Sequence, residues 1–249
     1  DPRGYVNAHT HLYSALARGM PSPADPPSSF LEILERVWWR LDRALDAEAV
    51  YLSGLVGAIE AARSGTTTLF DHHSSPSCIT GSLATLRRAL EEVGLRSVLC
   101  YETTDRNGPV GRREGLAENR GFLSSGPSAL TRGLAGAHAS FTLSDETLDL
   151  LAGAARETAS SLHVHVAEDR ADIEHCRRHH ECGVVERLER HLLLTDRALL
   201  VHAVHLSEPE LREAQAAGAW LVHCPRSNMA NGVGHARTAA FRRSALGTD

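Results

Sequence analysis

Short apolar runs alternate with longer amphipathic stretches along the whole chain. This alternation predicts strands connected by crossover helices, and therefore a parallel sheet. Eight of the runs have the length and composition of strands: Gly4–His9, Thr66–Asp71, Arg96–Glu102, Leu134–Ala139, Ser161–Ala167, Ala198–Ala203, Ala219–Cys224 and Ser244–Thr248. Eight strands with helices between them predict an α/β fold of the (β/α)8 TIM-barrel type.

The predicted helices carry recognisable start and stop signals. Between Phe30 and Leu45 the apolar residues recur at helical spacing, and Ser29-x-x-Glu32 has the form of a capping box. Ser207-Glu-Pro-Glu210 begins another helix in the same way. Two more helices are predicted over Ala47–Arg63 and Leu83–Val93, each followed by a glycine before the next strand.

The length fits one barrel domain. The chain has 249 residues, and a barrel of this type needs about 250. We therefore expect residues 1–249 to form a single domain, taken from the central part of a longer chain. The Pro/Ser-rich stretch Pro21–Ser29 follows the first strand, and it is either an active-site lid or a plain connector.

Composition and charge narrow the function classes. The net charge of −5 argues against nucleic acid or an anionic membrane as a partner. No signal peptide and no apolar run of membrane-spanning length is present. The five cysteines are odd in number and lack zinc-knuckle spacing, which favours the reducing cytoplasm. These features point to a cytoplasmic protein with a small-molecule substrate.

Candidate reactive residues lie at the ends of four predicted strands. His9 and His11 are two residues apart, so both side chains can face one ion at a strand end. The others come from His165-x-x-Glu168, from the pair His202-x-x-His205 and from the final residue, Asp249. Reactive residues of barrel enzymes come from the carboxyl ends of several strands, which predicts one shared site.

The residue types favour metal-assisted hydrolysis. Imidazole nitrogens with one carboxylate suit Zn²⁺, or alternatively Fe²⁺. Such an ion lowers the pKa of a bound water from 15.7 towards about 7. The chain has no lysine, so a carbamylated lysine cannot bridge two ions, and a single divalent ion is expected. Each piece alone has a structural alternative: Glu168 can begin a helix, and Asp249 can be a helix N-cap.

Other polar segments have open roles. Ala137-His138-Ala139 and Asp71-His-His73 end predicted strands and either line the pocket or support it. Arg226 follows the seventh strand, where it either binds a substrate carboxylate or lies on the surface. Trp38 belongs to the apolar helix stripe, whereas Trp39 lies off it and is a candidate for substrate contact. A group rich in histidine and cysteine between His175 and Cys182 is interpreted as an exposed helix end.

Taken together, these motifs resemble the amidohydrolase superfamily, in the branch of triazine hydrolases and cytosine/guanine deaminases. The motifs that carry the resemblance are Val6-Asn-Ala-His-Thr-His-Leu12, His165-x-x-Glu168, Val201-His-Ala-Val-His-Leu206, His223-Cys-Pro-Arg-Ser-Asn228 and Leu246-Gly-Thr-Asp249. Within this branch, Phe70–Pro76, the helix Phe30–Asp46 and Tyr101–Pro109 look like the SsnA-type aminohydrolases. The resemblance implies a barrel with a β-sandwich built from both termini. The β-sandwich and the last barrel helix are not expected within these residues.

The resemblance also implies roles for individual residues. His9, His11, His165 and Asp249 would be metal ligands. Glu168, His202 and Asp249 would be catalytic, with Glu168 moving protons. His205, His138 and Arg226 are the predicted substrate contacts.

The implied reaction is hydrolytic deamination of an aminated nitrogen heterocycle, purine- or pyrimidine-like, by a metal-activated water. Two alternatives stay open: a chlorohydrolase or amidase that uses the same site, and a degenerate metal-binding scaffold without catalysis. A homo-oligomer is a further expectation from the family.

Overall fold

The computed structural model describes residues 4–249, and its strands form a closed ring in which hydrogen-bonded neighbours are parallel. The strands are β1 Tyr5–Thr10, β2 Thr66–His73, β3 Arg96–Tyr101, β4 Thr131–Gly133, β5 Ala135–Ala139, β6 Leu162–Val166, β7 Leu199–His202, β8 Trp220–His223 and β9 Ser244–Leu246. They pair in sequence order as β1 to β4 and as β5 to β9. Leu134 N donates to Leu99 O at 3.1 Å and joins the two sheets, and Thr248 N donates to His9 O at 2.9 Å and closes the ring.

The fourth barrel strand is made of two pieces. The sequence predicts one strand over Leu134–Ala139, whereas the structure has β4 and β5, with Leu134 between them. Here the backbones approach closely, because a Cβ atom on Gly136 would lie 2.2 Å from Tyr101 O. Glycine is therefore needed at this position, and the ring has eight strand positions, one of them interrupted.

Helices connect the strands on the outside of the ring. They are α1 Phe30–Ile33, α2 Trp39–Leu41, α3 Ala47–Arg63, α4 Ser82–Val93, α5 Gly108–Ser124, α6 Asp145–Glu157, α7 Arg170–His180, α8 Val184–Arg190, α9 Glu208–Ala216 and α10 Pro225–Ala230. The predicted capping box of α9 is confirmed, since Ser207 Oγ accepts from Glu210 N and Glu210 Oε2 accepts from Ser207 N. Within residues 4–249, no helix is both long and apolar enough to cross a membrane.

The helical segment after the first strand is less regular than its sequence pattern predicts. Ser29 Oγ accepts from Glu32 N and caps α1 as expected. The segment then continues through a π-helical turn, Leu34–Trp38, into α2 and a short 3₁₀ turn, Asp42–Ala44. A π turn holds one more residue than an α turn and shifts the face on which later side chains lie.

Leucines from the strands and the surrounding helices form the core. Leu162, Leu200 and Leu221 on β6 to β8 pack in one cluster, and Leu69 and Leu99 on β2 and β3 belong to a second. All five are fully buried, and each contributes about 1.5–3 kcal/mol relative to an exposed side chain. These packed layers leave the carboxyl ends of the strands as the place where polar side chains gather.

Candidate functional site

The predicted reactive residues meet at the carboxyl ends of β1, β6, β7 and β9. One ligand atom from each of His9, His165, His202 and Asp249 lies within 4.8 Å of all the others. His11 joins the group through its neighbours, since its Nε2 is 3.1 Å from Asp249 Oδ1. We call these five residues, together with Glu168, the barrel-mouth cluster.

Asp249 is the anion around which the rings are arranged. Its Oδ1 is 2.8 Å from His9 Nε2, its Oδ2 is 3.8 Å from His202 Nε2, and Ser227 Oγ donates to Oδ2. Burial raises the pKa of Asp249, but the charges and hydrogen bonds of His202, His11 and His9 outweigh burial and hold it well below its usual range. Burial opposes charge on His11 as well, yet the hydrogen bond and charge of Asp249 raise the pKa of His11 to about 9.

Two rings are oriented by backbone carbonyls. His11 Nδ1 lies 2.6 Å from His72 O, and His165 Nδ1 lies 2.9 Å from His138 O. A carbonyl oxygen can only accept, so each Nδ1 carries a hydrogen and each Nε2 points into the site. With its pKa raised to about 9, His11 also holds a proton on Nε2 near pH 7, and a bound cation would replace that proton. These two Nε2 atoms are 3.2 Å apart. Two facing lone pairs at this distance repel unless a proton or a cation lies between them.

His202 presents its Nε2 in the same way. Its Nδ1 is 2.8 Å from Asn228 Oδ1, and its fully buried Nε2 has no hydrogen-bond partner. The backbone is left-handed at His202 (φ 72°) and at Ala203 (φ 51°), a region that residues other than glycine enter at a cost of about 1–3 kcal/mol each. The surrounding structure therefore holds the backbone at His202 in a strained conformation, and this conformation places the ring beside the cluster.

The fourth ring is oriented by another histidine. His9 Nδ1 is 2.8 Å from His163 Nε2, and Cys100 Sγ is 3.6 Å from His163 Nδ1. Burial lowers the pKa of His9 to about 3, so the ring is neutral near pH 7. Neutral imidazoles with an ordered partner on one nitrogen and a bare second nitrogen are the usual ligands of zinc and related ions. The donor set of the cluster therefore fits a divalent cation.

Gly247 brings Asp249 into the cluster. A Cβ atom on Gly247 would lie 2.8 Å from Cys224 Sγ and 2.9 Å from His9 Cβ. A side chain at this position would push the end of β9 away from β1. The glycine therefore lets Asp249 N donate to His9 O at 3.1 Å.

Glu168 lies beside the rings as a candidate acid or base. Its Oε2 is 3.4 Å from His202 Nε2, and Asn231 Nδ2 donates to Oε1 at 3.2 Å. Burial, opposed by His202 and reinforced by the negative charge of Asp249, raises the pKa of Glu168 to about 7. A carboxyl group with this pKa can both accept and release a proton near neutral pH.

A cavity of about 400 Å³ opens beside the cluster. Glu168 and Asp249 line it together with aromatic and aliphatic side chains, among them Trp38 and Trp39. The prediction for Trp39 agrees with this position. Trp38, expected in the core, is half-buried against the apolar cluster that contains Phe30 and Leu34, and it also lines the cavity.

The three predicted substrate contacts lie in different places. His138 and Arg226 both line the cavity, and Arg226 is exposed to solvent. His205 Nε2 donates to Val233 O at 2.9 Å, and this residue lines a separate shallow depression with Arg170. A substrate contact of His205 therefore stays a prediction without a place in the cavity.

Three further polar residues belong to the site, and the sequence pattern did not single them out. Asn228 orients His202, and Ser227 and Glu102 line the cavity. The signal for Glu102 was its position at the end of the third predicted strand. Asn228 and Ser227 lie in the motif that follows β8, the seventh predicted strand, but their contacts depend on how α10 folds back.

The second histidine-rich group has a different construction. The last turns of α7 and the residues just after it carry three histidines and two cysteines. We call these residues the helix-end cluster: His175, Cys176, His179, His180 and Cys182. His179 is exposed, and His180 Nδ1 is 3.3 Å from the partly exposed Asp145. Among residues 4–249, the groups whose potential ligand atoms all lie within 4.8 Å of one another occur only in the barrel interior and mouth. The interpretation of this segment as an exposed helix end agrees with the structure for His179, whereas Cys176 and Cys182 are buried in the core.

The chain belongs to the amidohydrolase family, whose sequence model matches residues 4–249. This finding confirms the resemblance drawn from the motifs. The chain is 30% identical to a 5-methylthioadenosine/S-adenosylhomocysteine deaminase of Pyrococcus abyssi over 233 residues, which cover 92% of this chain and 52% of the relative. It is 31% identical to a 5'-deoxyadenosine deaminase of Methanopyrus kandleri, over 91% of this chain and 50% of the relative. The chain thus spans about half the length of the curated relatives it matches.

Solved structures share the fold. An adenosine deaminase from Xanthomonas campestris with bound zinc superposes with a TM-score of 0.87 at 23% identity, over 99% of this chain and 56% of that one. A guanine deaminase from C. acetobutylicum with bound guanine superposes with a TM-score of 0.86 at 18% identity, over 99% and 61% of the two chains. These similarities confirm the TIM-type barrel.

Proposed function

We propose that the protein is a metal-dependent aminohydrolase that removes an amino group from a purine- or pyrimidine-like heterocycle. In this proposal residues 1–249 are its catalytic barrel domain. One observation carries the proposal: bare, oriented imidazole nitrogens converge with Asp249 and Glu168 at the edge of a 400 Å³ cavity that has aromatic walls. The relatives named as deaminases of adenosine derivatives support the same reaction class.

In this proposal the cation is held by His9, His11, His165 and Asp249. His202 is a candidate for a further ligand, because its bare Nε2 belongs to the same compact group. Zinc is the expected ion, and iron is the alternative. When bound, a divalent cation supplies Lewis acidity and lowers the pKa of a water molecule, which makes hydrolysis feasible at neutral pH.

The side chains then divide the proton transfers. Asp249 Oδ2 and the bare His202 Nε2 can each accept a hydrogen bond from the attacking water. Glu168 can pass the first proton of the water to a ring nitrogen and then carry the second proton to the amino group, which leaves as ammonia. Its raised pKa suits both directions. The aromatic side chains around the cavity favour a flat ring and exclude bulk water.

The test combines metal analysis with product detection. We expect about one equivalent of zinc or iron per chain, and ammonia release from at least one member of a panel of adenosine derivatives and aminated bases. The protein could instead bind one equivalent of metal, release no ammonia and hydrolyse a C–Cl or amide bond. That result would replace deamination with the chlorohydrolase or amidase alternative. Failure to bind any divalent metal after reconstitution would refute the metal-dependent mechanism.

A further inference from the structure

A second polar group lies in the cavity wall, where β3 and β5 end. Glu102 follows β3, is 4% exposed and lines the cavity. Three side-chain nitrogens lie within 4 Å of its carboxylate: His72 Nδ1 at 3.3 Å, Arg106 Nη2 at 3.8 Å and His138 Nε2 at 3.9 Å. The two longer distances are beyond hydrogen-bonding range, and His72 Nδ1 has no well-formed hydrogen bond to any partner.

The His138 ring presents an acceptor rather than a donor to Glu102. The Thr142 hydroxyl donates to Ala139 O, so Thr142 Oγ1 accepts from His138 Nδ1 at 2.7 Å. His138 therefore carries its hydrogen on Nδ1 and turns a bare Nε2 towards Glu102. His72 lies on the other side of the carboxylate, with its Nε2 3.1 Å from the carbonyl of Ala137 and its Nδ1 3.3 Å from Glu102 Oε2.

One oxygen of Glu102 has no hydrogen-bond donor of its own. Arg106 is the nearby cation, but its Nη2 donates directly to Asp42 and to Ser74 and stays 3.8 Å from Glu102 Oε1. A buried carboxylate oxygen without a donor is costly, so this part of the cavity is suited to a ligand that brings N–H donors and positive charge.

We propose that Glu102 and His138 form a subsite for a cationic, N–H-rich group of the substrate, such as an amidinium, guanidinium or ammonium. The inference rests on the proposed function, because it describes the far end of the molecule whose amino group is removed. Trp39 closes this end of the cavity beside the two acceptors, with its ring 6.3 Å from that of His138 and the guanidinium of Arg106 over it at 5.0 Å.

A second metal ion is a less suitable occupant. The third potential ligand beside Glu102 and His138 is His165, whose bare Nε2 already faces His11 at 3.2 Å. The 3.9 Å between His138 Nε2 and Glu102 Oε1 is also wider than the separation of roughly 3.3 Å that tetrahedral zinc bonds would impose. An organic cation needs neither the shared ligand nor the short spacing.

The experiment compares benzamidine with benzamide, two flat molecules of nearly equal shape that differ in charge. Their dissociation constants are measured calorimetrically on the zinc-loaded protein, for the wild type and for Glu102→Gln. We expect the wild type to prefer benzamidine roughly tenfold or more, as for a charge-assisted hydrogen bond. In Glu102→Gln the preference should fall to about twofold or less, with the zinc content unchanged.

Two further variants make the result decisive. Glu102→Asp retains the charge and should keep a preference for benzamidine, and it serves as the test if the Gln variant does not fold. Glu35→Gln removes a charge from an exposed residue and should leave the preference as in the wild type. An equal preference in wild type and Glu102→Gln, or no preference in either, would overturn the subsite.

Metal analysis and turnover separate this inference from its alternatives. Two equivalents of zinc in the wild type, one of them lost in Glu102→Gln, would establish a second metal site and overturn the organic-cation subsite. The charge preference is measured without turnover. It can therefore be present when no ammonia is released, in which case only the proposed reaction fails.

Discussion

The barrel-mouth cluster and the helix-end cluster are both rich in histidine, but their rings are held differently. In the barrel-mouth cluster, His11 and His165 donate to backbone carbonyls and His202 to a buried amide oxygen. In the helix-end cluster, His179 is exposed, and His180 faces a carboxylate that is 57% exposed. The first arrangement fixes which nitrogen is bare and where it points, whereas in the second no buried acceptor orients His179 or His180.

This contrast shows that ring orientation, more than histidine count, defines a metal centre. A ligand nitrogen needs its lone pair free, and the opposite nitrogen must have an acceptor that determines the tautomer. The thiols of the helix-end cluster do not orient its rings either. Cys176 Sγ and Cys182 Sγ are 4.0 Å apart, and both cysteines are free.

The largest expected effect comes from removing one ring of the barrel-mouth cluster, with removal of one ring of the helix-end cluster as the comparison. His165→Ala should weaken zinc binding by more than roughly a hundredfold, because loss of even an outer partner of a ligand costs 10–100-fold. His179→Ala should bind zinc as the wild type does. Zinc affinity from competition with a chelator provides the measurement. Equal loss in both variants would show that the helix-end cluster also binds the metal.

Glu168→Gln should separate metal binding from catalysis. The amide keeps the shape but cannot carry a proton between water and leaving group, so turnover should fall by roughly 10²–10⁴-fold while zinc is retained. Glu174→Gln, an exposed site on α7, is the matched control. Unchanged turnover in Glu168→Gln would contradict the assigned role, and no activity in any variant would favour a binding scaffold.

Asn228→Ala tests whether orientation itself matters. The variant removes the acceptor of His202 Nδ1 and should reduce zinc affinity or turnover by roughly 10–100-fold. Asn228→Asp keeps an oxygen at that position and should retain most of the zinc affinity and turnover that Asn228→Ala loses. If Asn228→Ala behaves like the wild type in both measurements, the ring does not depend on this amide.

The smallest effect is a pH dependence of the metal-free protein. The pKa of Glu168 rises from 4.5 to about 7 on folding, so the folded state keeps a proton that the unfolded state has released. The free energy of unfolding should therefore fall as pH rises from about 4.5 to about 7, relative to Glu168→Gln. Urea unfolding of both proteins at about pH 5 and about pH 8 measures the difference. A parallel dependence in both would assign the titration to other groups.

Much of the fold could be predicted from the sequence because the signals were local. The helix Ala47–Arg63 was predicted with the bounds that the structure has, since a capping aspartate and a terminal glycine mark its ends. The interruption of the fourth strand at Leu134 was not predictable. It depends on how closely Gly136 approaches Tyr101 O, which is a contact between distant parts of the chain.

For the candidate site, the residue types were predictable and their orientations were not. His9, His165 and Asp249 follow from strand ends and spacing. The left-handed backbone at His202 and Ala203 has no sequence signal, since neither residue is a glycine and packing enforces the conformation. Glu102 was within a predicted strand, but the absence of a hydrogen bond from Arg106 to it appears only when Arg106 is seen to donate to Asp42.

The π turn at Leu34–Trp38 allows the side chains that line the cavity to change through the length of one helical segment. Such a turn contains one residue more than an α turn, and each residue of an α-helix advances by about 100°. Deleting a single residue from the turn would convert it to regular helix and leave Trp39, with all that follows, in place. Only the side chains of the turn itself, Trp38 among them, would change position. In a lineage of such barrels, loss or gain of one codon could therefore change this part of the cavity lining while the metal-binding strands stay unchanged.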